Sequence, residues 1–176
     1  NGARVINMSL GGAMENPVLN EAVNYALSKN VVVVAAAGNS SEDASNTYPA
    51  AIPGVITVSA TDSNDALAGF SNYGSVIELA APGANILSTI PGNNYDYYSG
   101  TSMSTPFVSA ACALLISRNP SLSNIEVEQF LTDSAKDLGE AGKDDSFGYG
   151  LLDIDKALTT TEIKPRLEIM NLSNNA

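Results

Sequence analysis

Apolar residues recur along the chain in patterns that predict alternating strands and helices. Val5, Ile6 and Met8 form a short apolar run that stops at a glycine-rich turn, as a strand would. In the next segment Val18, Leu19, Ala22, Val23, Ala26 and Leu27 recur at helical spacing, which leaves Glu21, Asn24 and Ser28 outward. Asn16 is placed to cap that helix and Pro17 suits its first position. Residues 31–37 are continuously apolar and β-branched at their start, the pattern of a parallel strand covered on both faces. Strand, helix and strand in close succession make a βαβ unit with a right-handed crossover. Its functional loops belong at the carboxyl ends of the strands, residues 9–12 and 38–41.

Further along, a polar loop at 40–53 leads into expected strands at 55–59, 76–80 and 86–89. Residues 62–72 are rich in turn formers, and Asp62 and Asp65 read as turn residues rather than metal ligands. Residues 108–116 are apolar in every helical direction, which predicts a helix wrapped by protein on all sides. A small polar turn, Ser99-Gly100-Thr101-Ser102, feeds it. Ser102 at a helix start sits where unpaired amides and a positive dipole stabilise developing negative charge, which suits a nucleophile. The same residue type is an ordinary helix cap, and local pattern alone leaves both readings open. Ser123 with Glu126 forms a capping box for a helix through Val127, Phe130 and Leu131. A tight turn at 148–150 precedes an expected short helix at 151–158. Residues 159–176 are polar and read as a tail or linker, which leaves one domain at 1–158.

Composition narrows the functional classes. The 176 residues suffice for one compact domain, and 8 basic against 19 acidic side chains give a net charge of −11, which argues against nucleic acid or an anionic membrane as partner. Cys112 is the single cysteine and lies inside the apolar helix, where it reads as a small buried hydrophobe. With no second cysteine and no histidine, a zinc site of the usual kind is excluded within the chain. Tyr95, Tyr97 and Tyr98 gather with Asp96 just before the serine turn; one ring suits core packing, and the group is expected to include part of a binding surface.

Separated motifs then coincide. Ser9-Leu10-Gly11-Gly12, Ala35-Ala36-Ala37-Gly38-Asn39 and Gly100-Thr101-Ser102-Met103-Ser104-Thr105-Pro106 occur in the order found in subtilisin-like serine proteases. Tyr48-Pro49-Ala50, Phe70-Ser71-Asn72-Tyr73-Gly74, Ala81-Pro82-Gly83 and Gly148-Tyr149-Gly150-Leu151 extend the resemblance over nearly all of residues 5–158. It implies a three-layer α/β/α fold with a mostly parallel sheet, of which this chain resembles the C-terminal part. It also implies that Ser102 is the acyl-forming nucleophile and Asn39 a side-chain donor of the oxyanion hole. Ser9, Leu10, Gly11 and Gly12 resemble the strand that pairs with an extended peptide or protein substrate. Ala36, Ala37 and Gly38 resemble the wall of the pocket for the residue before the cut, with Gly100 and Thr101 beside the nucleophile. Small wall residues suggest a large apolar or aromatic side chain there. The backbone carbonyls of Ala50, Ile52 and Val55 resemble a site for Ca²⁺ or Na⁺. No organic cofactor is implied, and secretion is.

The departure from the family pattern is in the catalytic base. The mechanism needs a histidine and an orienting aspartate, both placed before the serine, and this chain has no histidine. Phe107 stands where the family commonly has another histidine, one that is not the base. An upstream segment carrying Asp and His explains both absences together. The alternatives are a sedolisin-like Ser-Glu-Asp peptidase, which would carry an aspartate where this chain has Asn39, a non-catalytic peptide-binding remnant, and a structural fragment. A half-domain sheet should leave an edge that pairs with another chain or aggregates. The 176 residues alone are expected to show little peptidase activity.

Overall fold

The computed structural model describes residues 2–160. The expected tail therefore falls almost wholly outside the described residues. Four strands, β1 (Val5–Met8), β2 (Val32–Ala36), β3 (Ile56–Thr61) and β4 (Leu79–Pro82), form a parallel sheet in the order β1-β2-β3-β4. A separate antiparallel hairpin pairs β5 (Ile86–Ile90) with β6 (Asn94–Tyr98). The helices are α1 (Pro17–Ser28), α2 (Thr101–Arg118), α3 (Asn124–Ser134) and α4 (Ile154–Thr159). The protein is α/β, with helices on both faces of the sheet.

Alternation along β2 builds both cores. Val32 and Val34 join Ile56, Val58 and Leu79 against Val108, Cys112 and Leu115 of α2, while Val33 and Ala35 face Val23 of α1 and Val55. A strand whose two faces are both covered must be apolar at every position, and β2 is buried throughout. Helix caps follow the sequence. Asn16 accepts from the amides of Val18 and Leu19 at the start of α1, and Ser123 with Glu126 makes the reciprocal capping box of α3.

Four expectations change. Strands β3 and β4 lie further along than expected, because β4 takes its register from β3, with Leu79 opposite Val58. The last helix starts at Ile154; Leu151 and Leu152 instead bond to Lys136 and Ala80, extending the backbone network beside β4. Val18 and Ala22 are exposed, since α1 rests on β2 near the β1 margin and no described element covers that side. Most consequentially, α2 is not wrapped on all sides. It packs on the four parallel strands and on α3 and α4, yet Phe107, Ala110, Ala113 and Leu114 are exposed along one stripe, with Leu114 at 46%. Among the described residues β1 has a neighbour on one edge only.

Candidate active site

Parallel strands place their carboxyl ends together, and the loops after β1 and β2 meet the start of α2 there. A cleft of about 390 Å³ is lined by Leu10, Gly11 and Gly12 on one side, Ala36, Gly38 and Asn39 on another, and Thr101 and Ser102 at its end.

The turn before Ser102 is set by backbone contacts. The Gly100 amide donates to the Gly83 carbonyl at 2.8 Å, and Gly100 adopts φ +156°, ψ +159°, a conformation side-chain-bearing residues rarely take. Gly83 has no room for a side chain, because a Cβ there would sit 2.6 Å from the Ala60 Cβ. The Ala81-Pro82-Gly83 motif thus fixes the turn from below. Ser102 is the second residue of α2, so its amide precedes the first internal helical bond. Its half-buried hydroxyl donates to the Ser9 carbonyl at 3.4 Å.

Pro106 lies inside α2, where it has no N–H for the carbonyl four residues back, that of Ser102. The Ser9 hydroxyl supplies the missing donor at 2.9 Å. Asn7 Nδ2 donates in turn to Ser9 Oγ, and Ser109 Oγ donates to Asn7 Oδ1, both at 2.9 Å. The end of β1 is therefore laced to two turns of α2.

Asn39 is oriented by Thr101. The Thr101 amide donates to Asn39 Oδ1 at 2.8 Å and its hydroxyl does so at 3.0 Å, while that hydroxyl accepts from the Gly38 amide at 3.1 Å. With Oδ1 occupied, the Asn39 side chain offers its Nδ2 hydrogens. A side-chain amide and a helix-start amide bordering one cleft are donors suited to an oxyanion formed on a carbonyl attacked by Ser102.

Not every residue singled out in the sequence lines the cleft. Ala37 is fully buried, its carbonyl taken by Asn72 Nδ2 at 3.0 Å, so the wall is Ala36 and Gly38. Gly12 lines the cleft and exchanges both backbone groups with Tyr48, at 3.0 and 2.9 Å. Gly100 and Ser9 hold the turn rather than line the cleft. Asn72, Thr47 and Glu42 line it and were not singled out for it. The repeated polar residues at 40–47 hinted at such a loop. Tyr95, Tyr97 and Tyr98 lie exposed on the hairpin that runs into the serine turn.

The loop of Ala50, Ile52 and Val55 borders a small hollow together with Glu78. There the Ala50 carbonyl accepts from Thr57 Oγ1 at 2.6 Å, the Ile52 carbonyl accepts from the Val55 amide at 3.1 Å, and Glu78 is paired with Lys143 at 2.7 Å. Ca²⁺ takes about six to eight oxygen ligands. With its one carboxylate paired to an ammonium, the loop is short of the oxygens Ca²⁺ takes, while each carbonyl keeps a second lone pair and Na⁺ on the carbonyls alone stays a proposal. Among the described residues no group of three or more Asp, Glu, Cys or His side chains could hold a metal. Burial pushes the Cys112 thiol up to about 12, which makes it an inert core residue.

Comparison with known proteins agrees with this architecture. The chain is 46% identical to Subtilisin DY of Bacillus licheniformis and 43% identical to Subtilisin BL of Lederbergia lenta, each match covering 89% of this chain and 57% of the relative. It is 43% identical to the minor extracellular protease Epr of Bacillus subtilis (strain 168), over 84% of this chain and 23% of that protein. A solved structure of proteases from Pseudoalteromonas arctica superposes with a TM-score of 0.82 at 35% identity, over 90% of this chain and 51% of the other. The chain thus spans little more than half the length of the subtilisins it matches. The subtilase family model matches residues 1–150, and the chain belongs to that family.

Proposed function

We propose that this chain is the nucleophile-bearing part of a serine endopeptidase. Ser102 Oγ attacks the scissile carbonyl and gives its proton to a base. The resulting oxyanion is held by Asn39 Nδ2 and the Ser102 amide. Collapse expels the amine with a proton from the same base and leaves an acyl group on Ser102, which water then removes. The observation that carries this reading is the pair of hydrogen bonds that the Thr101 amide and hydroxyl donate to Asn39 Oδ1, which leaves the donor end of the amide for the cleft that Ser102 borders.

The base is supplied by a segment outside these 176 residues. No histidine is present in the chain, and among the described residues the hydroxyl of Ser102 donates to a carbonyl, that of Ser9. The open β1 edge and the exposed stripe on α2 give such a segment its seat. Taken alone, the chain is left with the second reading, capture of extended peptides without cleavage. The sedolisin-like alternative is disfavoured by Asn39 standing where an aspartate would be needed. Extracellular peptides and proteins are the proposed substrates, in keeping with the Epr relative being an extracellular protease. No described helix is long and apolar enough to cross a membrane.

The test is labelling of the full-length protein by a fluorophosphonate. Modification at Ser102, lost in Ser102→Ala with peptide affinity retained, supports the reading; turnover surviving in Ser102→Ala overturns it.

A further inference from the structure

The cleft beside Ser102 is not purely apolar. Leu10, Ala36 and Gly38 give it small and apolar walls, Thr47 and Asn72 are neutral polar residues of the lining, and Glu42 is the one charged residue there among the described residues. No lysine or arginine among the described residues lines it.

Glu42 is placed there by the scaffold. Asn72 is almost wholly buried and works as a staple: its Oδ1 accepts from the Ser40 and Glu42 amides at 2.9 and 3.2 Å, while its Nδ2 donates to the Ala37 carbonyl at 3.0 Å. The Glu42 carbonyl accepts from the Tyr73 amide at 3.1 Å. The peptide groups on both sides of Glu42 are thereby tied to the segment that carries Gly38 and Asn39. Its neighbour Asp43 turns away, its carboxylate capping the Ser45 amide at 2.8 Å.

Resting on the peptidase reading, we propose that Glu42 makes this pocket select a cationic side chain, lysine or arginine, in the residue before the cut. Small-residue walls leave room for a long side chain, and Leu10 and Ala36 suit its methylenes. The ammonium or guanidinium at the end of such a stem is the group a carboxylate at the cleft attracts. An apolar residue of equal length gains the same wall contacts and no ionic partner. The chain's net charge of −11 draws cationic peptides toward the surface generally, but that term does not distinguish the pocket from the rest of the molecule. Glu42 does.

The experiment uses the full-length protein and two peptide anilides that differ only in lysine or norleucine before the anilide. The readout is the ratio of their kcat/KM values. The wild-type ratio favours lysine, and Glu42→Gln lowers it by about threefold to fivefold, the scale of a solvent-exposed ion pair. Rising salt narrows the difference between the two enzymes, because the pair is open to solvent. A ratio unchanged in Glu42→Gln, with both substrates cleaved, overturns the inference and leaves the peptidase reading intact. Failure of the folded wild type to cleave either substrate overturns both.

Discussion

The hydroxyl of Ser9 donates to the carbonyl of Ser102 across 2.9 Å, although 93 residues separate them in sequence. The bond joins the end of β1 to the second residue of α2, and so ties the loop that borders the cleft to the proposed nucleophile. In the full-length protein Ser9→Ala is expected to lower kcat more than it raises KM, because the Ser102 carbonyl loses its partner while the cleft walls stay. The loss is about tenfold, the equivalent of one ordinary hydrogen bond. Steady-state kinetics of the variant check it, and an unchanged kcat would remove Ser9 from the positioning of Ser102.

Asn39→Ala removes the proposed oxyanion donor without touching the core. Turnover should fall by about 10²–10³ with KM little altered, the loss known for such a donor in subtilisin and not a figure obtained from this chain. Thr101→Val keeps the shape of Thr101 and deletes the hydroxyl bond to Asn39 Oδ1, while the amide bond remains. A smaller kcat loss is therefore expected for it than for Asn39→Ala; the opposite order would mean that Asn39 is not the group being aimed.

Hydrogen bonds from the Ser123 amide and then its hydroxyl hold the Glu126 carboxyl below its ordinary value of 4.5. A carboxyl depressed on folding contributes stability that is fully present above its unfolded pKa and is lost as pH falls through the folded one. The urea midpoint of the wild type should therefore drop more steeply than that of Glu126→Gln below about pH 4.5. Ser123→Ala should cost about 1 kcal/mol at neutral pH, as a lost N-cap does. Parallel acid slopes for wild type and Glu126→Gln would contradict the assignment.

Chelation should leave the protein's melting temperature unchanged to within about 1 °C, less than the shift from 1 kcal/mol in a domain of this size. The reason is the Glu78–Lys143 pair beside the Ala50 loop. Lys143→Ala frees that carboxylate, and the variant is expected to gain a response to added Ca²⁺. A marked fall in the wild-type melting temperature with EDTA would show that the loop holds a cation after all.

Much of this architecture was legible because each signal was local. Continuous apolarity at residues 31–37 marked a strand with two covered faces, and Asn16-Pro17 and Ser123 with Glu126 marked two helix starts. Ser102 and Asn39 were legible as motifs, by resemblance. The surroundings of those residues were not. That Thr101 aims Asn39, that Asn72 staples the loop of Glu42, and that Ala37 turns into the core depend on contacts between distant segments, which spacing does not encode. The exposed stripe on α2 misled for a related reason. Phe107 and Leu114 are as apolar as the buried Val108 and Leu115 beside them, so composition shows that the helix needs cover on every side without showing whether these residues provide it.

Pro106 gives the site an inverted logic. By the usual measure it is a defect, since it deprives α2 of a bond to its own second residue. That defect is why the Ser102 carbonyl accepts from another part of the chain. A residue with an N–H at 106 would give the Ser102 carbonyl a partner inside its own helix, and Ser9 would share that oxygen instead of being its one donor. Local imperfection in one element is here the means by which two loops share a single geometry, so a more regular α2 would be a less firmly anchored one at Ser102.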